Sequence, residues 1–363
     1  MRGEASPFVS NQPSGVTQGH VPGHIPSLDG IRGVAVLLVV VTHAGFTFAS
    51  GALGVNIFFF LSGFLIATLM RREYATTGAV SLRRFYARRI LRIFPPMYIL
   101  LAAATLASTL GLLAPKIGAW TILAQFLHLT NYVHITGSHV LPGTEIMWSL
   151  SVEEHYYLVF PLLFVVVQRF GPGARASIVV GTCLLVLVWR VVVVMSHPVG
   201  GEAWAYEASD TRVDSILWGA ALAMFANPYF EAKAAAKLDR GWLGILALGV
   251  VLASQVLRVH WYSHTIRYTL QCLCFAPLFV IAIRREHRFP ITLLNRQPLR
   301  WIGSISYSLY LYHYLVIAVL VQHTSLRGVA LLAATLAISL PLCELTARFV
   351  ERPAARLRKR LES

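Results

Sequence analysis

Charged residues are scarce in this sequence. Asp, Glu, Lys and Arg make up 13% of the 363 residues, whereas 56% are hydrophobic. So small a charged fraction excludes an ordinary soluble domain, in which about a quarter of the residues are charged. Cysteine is scarce as well, and the four cysteines lie in apolar segments without zinc-site spacing or a disulfide framework. We expect them to be packing residues: Cys183, Cys272, Cys274 and Cys343.

Long apolar runs are what the sequence has in abundance. A run of about 20 residues is long enough to cross the ~30 Å hydrocarbon core of a bilayer. These runs are too long and too uniformly apolar for the alternating strands of a membrane barrel, so they are expected to be helices. We predict an all-α, polytopic integral membrane helical bundle with about ten transmembrane helices. They lie near residues 31–50, 52–70, 90–113, 147–168, 176–195, 210–227, 241–257, 265–284, 303–323 and 328–350.

Basic residues are distributed unevenly between the predicted loops. With the N-terminus in the cytoplasm, 24 of the 31 Lys and Arg residues fall on the inner side and only 4 on the outer side. Because cytoplasmic loops carry the excess of basic residues, both termini are predicted to be cytoplasmic. The net charge of +15 comes from these loops rather than from one soluble basic face, so we expect no nucleic-acid partner.

The two ends of the chain and one internal segment fall outside these spans. Residues 1–27 are rich in Pro, Gly, Ser and Gln and are predicted to be a flexible cytoplasmic tail without a signal peptide. Residues 28–351 form the predicted transmembrane domain, and residues 352–363 a short basic cytoplasmic tail. Residues 119–135 are weakly apolar, which leaves a re-entrant helix, an interfacial helix or an eleventh span open. The charge distribution argues against the last of these.

Two ionisable residues share one face of the first predicted span. Arg32 and His43 are eleven residues apart, close to three helical turns, and therefore lie about 16 Å apart along the helix axis. Ionisable groups at membrane depth are costly and are often functional. An arginine at the cytoplasmic end could hold a phosphate-bearing ligand whose far end reaches the histidine. Alternatively, the arginine extends to the interface and the histidine hydrogen-bonds a neighbouring helix.

Two adjacent carboxylates enter the membrane in the fourth predicted span. Glu153 and Glu154 are expected roughly 9–11 Å below the outer end of the helix. His43 is expected at a similar depth, and a Glu–His pair is the minimum equipment for general-base activation of a hydroxyl. A structural pair that stabilises the bundle is the alternative. Asn56 is expected near the same depth, where it either fixes the imidazole tautomer or satisfies a helix end.

Other polar residues recur at helical spacing. Asp210 and Asp214 share a face at i,i+4 near the outer end of the sixth span. Ser306, Tyr310 and His313 form a polar stripe in the ninth span, and such a stripe is expected to line a cavity rather than face lipid.

The densest basic cluster lies in the inner loop before the third span. If this segment is helical, Arg84, Arg88 and Arg92 align on one face. The cluster either rests on anionic lipid headgroups or recognises the phosphates of a ligand, for which guanidinium groups are well suited.

Together these segments resemble the acyltransferase 3 family of bacterial membrane O-acyltransferases. The resemblance runs from about residue 26 to the C-terminus, with many motifs in order and at family-like spacing. The residues that carry it are Leu28-Asp29-Gly30-Ile31-Arg32-Gly33 and His43, Gly54-Val55-Asn56, Phe58-Phe59, Leu61-Ser62-Gly63-Phe64-Leu65-Ile66, Arg88-Arg89, Arg92, Pro95, Trp148-Ser149-Leu150-Ser151-Val152-Glu153-Glu154, Tyr157, Pro161, Arg212, Asp214, Gly219 and Ser306-Tyr307-Ser308-Leu309-Tyr310-Leu311-Tyr312-His313.

The resemblance implies transfer of an acyl group, commonly acetyl, from a cytoplasmic acyl-CoA to a hydroxyl. It implies that His43 is the catalytic base and Arg32 a donor-site residue. Arg89 and Arg92 match the family's basic motif near the CoA, and Glu153 matches its essential carboxylate. Some relatives carry a C-terminal esterase-like domain. This chain ends about a dozen residues after its last predicted span, so a separate protein is expected to perform any second transfer step.

We therefore predict a multi-pass O-acyltransferase of the bacterial inner (plasma) membrane. The donor is acetyl-CoA or another short acyl-CoA, and no metal is expected. The acceptor is a sugar hydroxyl on a cell-surface glycan or its lipid-linked precursor, membrane lipid is a further partner, and the oligomeric state, a homodimer included, is open. The predicted site consists of the catalytic residues His43 and Glu153, the supporting residues Asn56, Glu154 and Asp214, and the cofactor-binding residues Arg32, Arg88, Arg89, Arg92, Tyr310 and His313.

Two other functions fit parts of the same sequence. The acceptor could instead be a macrolide or another secondary metabolite in the cytoplasm. A transporter for sugars, or for protons through the buried His and Glu, belongs to a different class. Transporters often have inverted repeats with broken helices in matching halves, and the sequence has no such symmetry.

Overall fold

The computed structural model describes residues 25–114, 117–257 and 259–360, and within these ranges it contains helices and loops but no β-strand. Most of the predicted tail at 1–27, and the last three residues of the tail at 352–363, lie outside the described residues. In chain order the helices are α1 (Pro26–His43), α2 (Gly51–Thr77), α3 (Leu82–Thr109), α4 (Ala119–Phe126), α5 (Thr130–Ile135), α6 (Met147–Val167), α7 (Pro172–Ser196), α8 (Gly201–Glu207), α9 (Ser209–Phe225), α10 (Ala232–Leu238), α11 (Gly241–Val256), α12 (His260–His264), α13 (Ile266–Arg284), α14 (Gln297–Ser304), α15 (Ser306–His323), α16 (Gly328–Thr346) and α17 (Arg352–Arg360), with a 3₁₀ turn at Ile291–Leu293 and a π-helical turn at Ala347–Glu351.

Each of the ten predicted spans corresponds to a helix in the structure. Seven helices are long and apolar enough to cross a membrane: α1, α2, α3, α6, α7, α13 and α16 with its continuation through α17. Helices α14 and α15 together form one more candidate, bent by 75° between them. Helix α11 is apolar but shorter, with 16 residues, and α9 has 17. The multi-pass helical architecture is confirmed, whereas the count of ten spans and the cytoplasmic termini remain predictions.

The segment 119–135 forms two short helices. Helix α4 has 8 residues and α5 has 6, which correspond to about 12 Å and 9 Å of helix. Between them His128 adopts a left-handed backbone conformation with φ of 59°, which interrupts the helix. Neither piece can cross a ~30 Å hydrocarbon core, so this segment is not an eleventh straight span.

The first helix ends earlier than the sequence predicts. We expected a span over 31–50, but α1 ends at His43 and the chain then turns through Gly45, whose φ of 98° suits glycine. Helix α2 begins after Ser50, whose hydroxyl accepts a hydrogen bond from the Leu53 amide at 3.2 Å. His43 is therefore a half-buried residue at a helix end rather than a residue in mid-span.

Helices α2 and α9 cross at backbone contact in the centre of the bundle. Gly63 of α2 faces the carbonyl of Ile216, and Gly219 of α9 faces the carbonyl of Phe60. Small residues let membrane helices approach this closely. Such close packing supplies much of the stability, because lipid provides no hydrophobic drive between helices. The crossing fixes α2 against α9 and places the phenylalanines of α2 in the core.

Gly219→Ala should destabilise the protein by about 1–3 kcal/mol, because the new methyl group would overlap the carbonyl oxygen of Phe60, which is backbone and cannot rotate away. A thermal unfolding curve in detergent measures the effect. Gly249→Ala in α11 is the matched control, since nothing lies within 4 Å of its added methyl group, and alanine should be neutral or mildly stabilising there. Equal melting temperatures for the two variants would contradict the close crossing.

An ion pair outside the candidate spans joins α5 to α8. The carboxylate of Glu207 lies 2.7 Å from Nδ1 of His134, and this hydrogen bond raises the pKa of His134 above its ordinary value. A raised folded-state pKa means that the pair stabilises the fold below the unfolded pKa of about 6.5. That contribution is lost as the pH rises through the folded-state pKa.

His134→Gln should therefore lower the melting temperature at about pH 5.5 and leave it unchanged at about pH 9. Because the His134 side chain is 40% exposed, solvent screening limits the loss to less than about 1 kcal/mol. The exposed neighbour His139 provides the control, and His139→Gln should show no such pH dependence. A loss that grows with pH would have the wrong sign for this pair.

Candidate active site

A cavity of about 320 Å³ opens between α1, α2, α3, α6 and α15. Most of its wall is apolar, which suits an organic ligand with a few fixed polar contacts. The polar side chains on the wall are those of Asp29, Arg32, Ser62, Thr68, Arg89, Arg92, Ser149, Glu153, Glu154, Tyr157, Ser306, Tyr307 and Tyr310.

Three arginines form one side of this cavity. Nε of Arg32 donates to the hydroxyl of Ser306 at 3.2 Å, and the Arg32 guanidinium lies 3.8 Å from the carboxylate of Asp29. Arg89 and Arg92 are one turn apart on α3, and Nε of Arg89 is buried without a hydrogen-bond partner in the described residues. Guanidinium groups whose hydrogen-bonding capacity is not used up suit a phosphate or carboxylate ligand.

Arg88 is not part of this wall. It was predicted to bind the cofactor beside Arg89, but its guanidinium pairs with Glu73 at 3.0 Å, and it does not line the cavity. Consecutive residues on a helix point about 100° apart, so Arg88 and Arg89 face different directions, and Arg89 is the one that shares the cavity wall with Arg92.

The two carboxylates lie near these arginines. Glu153 accepts a hydrogen bond from the hydroxyl of Tyr157 at 2.8 Å and is within electrostatic reach of Arg89 and Arg92. Glu154 lines the same cavity. Both residues are therefore in the predicted site, on the wall of the cavity that the arginines also line.

The predicted pair of Glu153 with His43 is not formed in the described structure, and the expectation that the two share one depth is wrong. Ser149 of α6 is hydrogen-bonded to Tyr310 of α15, and Glu153 is one turn, about 6 Å, deeper than Ser149. Ser306, to which Arg32 is bound, is likewise one turn deeper than Tyr310. Glu153 therefore lies at the level of Arg32.

The partner of His43 is a second histidine, His313 of α15. Nδ1 of His43 and Nε2 of His313 are 2.9 Å apart, and the two rings are stacked with centroids 5.2 Å apart. His313 is fully buried, and its Nδ1 lies 2.9 Å from the carbonyl oxygen of Leu309. Tyr314 packs edge-on against the His43 ring at 4.7 Å. His313, predicted as a cofactor-binding residue, thus contacts the predicted base.

These contacts determine the tautomers of both neutral rings. A carbonyl oxygen only accepts, so Nδ1 of His313 must carry the proton and donate to Leu309. Nε2 of neutral His313 therefore accepts, and Nδ1 of His43 is the donor between the rings. The lone pair of neutral His43 is consequently on Nε2, which is the atom able to take a proton.

Tyr310 lies between the cavity and the histidine pair. Its hydroxyl is hydrogen-bonded to Ser149 at 2.6 Å, and its ring centroid is 6.0 Å from that of His313. Tyr310 lines the cavity as predicted, whereas His43 and His313 lie just beyond its wall. The cavity therefore has arginines at one end and leads toward the histidine pair at the other.

Asn56 serves a different part of the bundle. Its amide nitrogen donates to the carbonyl of Tyr268 at 3.1 Å and to Gln271 at 3.0 Å, and its amide oxygen accepts from Arg212 at 3.3 Å. The predicted contact with the His43 imidazole is not made in the described structure. Arg212 lies over the ring of Tyr268 at 3.8 Å, so this buried cation is held mainly by π-electron faces.

Asp214 is likewise structural. It forms a fully buried ion pair with Arg190 of α7 at 2.8 Å and accepts a hydrogen bond from Thr269 of α13 at 2.6 Å. It is neither on the wall of the cavity nor in contact with His43. Its predicted supporting role is therefore limited to holding α7, α9 and α13 together.

Ser149 and Tyr157 also belong to the site, although they were not among the predicted site residues. They lie four residues before and four after Glu153 on α6, so they share its face and line the same cavity. The i,i+4 spacing around a buried carboxylate was the signal that would have identified them.

One group of residues in the described structure has the side chains of a metal site. Glu202 of α8 lies 2.5 Å from Nε2 of His260, and His264 of α12 is the third member. The group lines neither the cavity nor the histidine pair.

The fold and the cavity define a multi-pass helical membrane protein with an arginine-lined cavity and a histidine pair. A family model described as an acyltransferase domain matches residues 25–347. The chain belongs to the acyltransferase 3 family, which confirms the resemblance predicted from the sequence. No solved structure matches the chain.

Similar curated proteins are named as O-acetyltransferases. The chain is 28% identical over 354 residues to the peptidoglycan O-acetyltransferase OatA of Listeria monocytogenes, which covers 91% of this chain and 56% of that protein. It is 29% identical over 357 residues to the O-acetyltransferase OatA of Staphylococcus aureus, with coverages of 92% and 57%. It is 28% identical over 347 residues to the putative peptidoglycan O-acetyltransferase YrhL of Bacillus subtilis, with coverages of 91% and 55%. The chain thus spans little more than half the length of these relatives.

Proposed function

We propose that this protein transfers an acetyl or other short acyl group from acyl-CoA to a sugar hydroxyl on a cell-surface glycan or its lipid-linked precursor. Family membership supports acyl transfer, and the names of the similar proteins support acetyl transfer to a glycan. The observation that carries the proposal is one cavity with three arginines at one end and the histidine pair beyond the other.

The donor is proposed to lie along the first helix. Arg32 and His43 are on one face of α1, about 16 Å apart along its axis. With its phosphates on Arg32, Arg89 and Arg92, a CoA molecule would extend its pantetheine arm through the apolar part of the cavity. The thioester would then approach Tyr310 and the histidine pair. The basic loops predict that the arginine end faces the cytoplasm, where acyl-CoA is available.

His43 is proposed to be the general base. Its Nε2 takes the proton of the acceptor hydroxyl while the hydroxyl oxygen bonds to the thioester carbonyl carbon. The carbon–sulfur bond then breaks, and the CoA sulfur leaves with the electron pair and takes the proton from Nε2. His313 accepts a hydrogen bond from Nδ1 of His43 and so stabilises the cation that forms during the transfer.

Glu153 is proposed to act at the donor end instead of on the base. It lies beside Arg89 and Arg92, where it sets the orientation and net charge of the phosphate-binding wall. The enzyme is proposed to be in the plasma membrane with both termini in the cytoplasm, so that donor and acceptor approach from opposite sides.

Purified protein in liposomes, supplied with acetyl-CoA labelled in the acetyl group, tests this function. Peptidoglycan fragments, lipid-linked sugars and a macrolide serve as acceptors. We expect labelled O-acetyl esters, released by mild base, on the glycan acceptors only. Label on the macrolide alone would overturn the acceptor, and absence of transfer from every short acyl-CoA would overturn the enzyme. Movement of unmodified sugar across the liposome membrane would instead indicate a transporter.

A further inference from the structure

A second cavity, of about 480 Å³, adjoins the first at its arginine end. Arg32, Arg92 and Tyr307 line both cavities, so the two adjoin at these side chains. The second cavity is enclosed by α14, the π-helical turn at Ala347–Glu351 and α17. π-helical turns inside longer helices are frequent at functional sites.

The charge of this second cavity is mainly positive. Arg352 and Arg358 of α17 contribute to the wall beside Arg32 and Arg92. Its two carboxylates are already engaged, since Glu344 pairs with Arg352 at 3.1 Å and Glu351 accepts a hydrogen bond from Ser308. Four guanidinium groups against two carboxylates leave the cavity suited to a ligand with several negative charges.

The wall also contains an aromatic surface. Trp301 of α14 lines the second cavity, and its side chain is 39% exposed. An indole beside guanidinium groups can stack on a nucleobase while the arginines bind its phosphates. The wall of the first cavity is mostly apolar, whereas the wall of the second carries the excess of cationic side chains.

We propose that the second cavity binds the nucleotide end of the acyl donor. The purine lies against Trp301, the outer phosphate is held by Arg352, and the pyrophosphate lies at the junction on Arg32 and Arg92. The acyl-bearing arm then occupies the first cavity. This assignment rests on the proposed acyl-CoA donor. It adds two positions, Trp301 and Arg352, that no motif in the sequence indicated.

Kinetics with a full and a truncated donor test the assignment. Arg352→Gln and Trp301→Ala should each raise the KM for acetyl-CoA roughly tenfold, the loss expected for one charge-assisted or stacking contact. Neither change should alter the rate with S-acetylpantetheine, which has the thioester but no nucleotide. Equal losses with both donors, or no loss with acetyl-CoA, would overturn the proposal.

Two residues outside the cavity walls provide matched controls. Arg348 lies one turn before Arg352 and rests on Phe349, and Trp242 at the start of α11 is 60% exposed. Neither residue lines either of the two cavities described above. Arg348→Gln and Trp242→Ala should therefore leave the KM for acetyl-CoA unchanged. If Arg348→Gln has the same effect as Arg352→Gln, the charge acts on the membrane surface and the nucleotide assignment is wrong.

Direct binding separates this inference from the proposed function. Adenosine bisphosphate, the nucleotide that CoA carries, should bind the wild-type protein and bind Arg352→Lys less tightly, in liposomes of neutral lipid. If anionic lipid, but not the nucleotide, occupies the site, the inference fails. Nucleotide binding without acetyl transfer to any acceptor would contradict the enzyme and leave the subsite intact.

Discussion

Replacing His43 with alanine should lower the rate of acyl transfer by about 10²–10⁴-fold, the usual contribution of a general base. The variant removes the only ring atom that the His313 contact leaves able to accept a proton. The KM for the donor should change little, because Arg32, at the proposed phosphate-binding end, lies about 16 Å away along α1. Initial rates with labelled acetyl-CoA measure both parameters.

The same helix that carries His313 provides a matched control. His323, at the end of α15, is hydrogen-bonded to the carbonyl of Leu112 and is remote from the cavity. His323→Ala should keep the wild-type rate. If His43→Ala retains full transfer, the proposed mechanism is wrong.

His313 is expected to act as a positioning residue through the tautomer of His43. His313→Gln can still offer an oxygen acceptor to Nδ1 of His43, whereas His313→Leu cannot. The leucine variant should therefore lose more activity than the glutamine variant at equal thermal stability. Equal activities would show that the hydrogen bond between the rings does not contribute.

Asp214→Ala should destabilise the fold by about 3–5 kcal/mol, the cost of leaving a buried charge without its partner. Arg190 and Asp214 are both fully buried, and Arg190 also donates to the carbonyls of Thr211 and Thr265. Thermal unfolding in detergent should show a large loss in melting temperature. Any protein that remains folded should keep its KM for the donor, because Asp214 lines no cavity.

An exposed pair and a double variant complete this test. Glu202→Gln disrupts a pair whose side chains are 48% and 68% exposed, so it should cost less than about 1 kcal/mol. The double variant Arg190→Met with Asp214→Leu should recover part of the loss, because neither charge is then left alone. If the double variant is less stable than both single variants, the two residues do not act as a pair.

The pattern of hydrophobic residues was sufficient to predict the helices. Each predicted span overlaps a helix, because a backbone in lipid has few other ways to satisfy its hydrogen bonds. Helical periodicity also correctly predicted that Arg32 and His43 share one face, since both positions are on one regular helix. Residues 119–135 form two short helices rather than one long span, in agreement with the charge distribution.

Relations between helices were less well predicted. The depth of Glu153 was inferred from where its span was expected to begin, and an error of one turn moves a side chain by about 5 Å. Because of that error we expected Glu153 to pair with His43, whereas in the structure the neighbours of Glu153 are the arginines. The ion pair of Glu344 with Arg352, eight residues along the chain, likewise depends on a π-helical turn that no residue pattern revealed.

The sequence by itself determined that this is a multi-pass helical protein, that it resembles the acyltransferase 3 family, and that Arg32 and His43 share one face of a helix. Only the tertiary structure decided that His313 is the partner of His43, that Arg89 rather than Arg88 faces the cavity, and that Asn56 and Asp214 belong to the core. The physical reason is that the helical periodicity and the hydropathy of a segment are properties of that helix alone. The contacts of a side chain depend on the rotation and depth of several helices, which are set by close packing such as the crossing of Gly63 and Gly219.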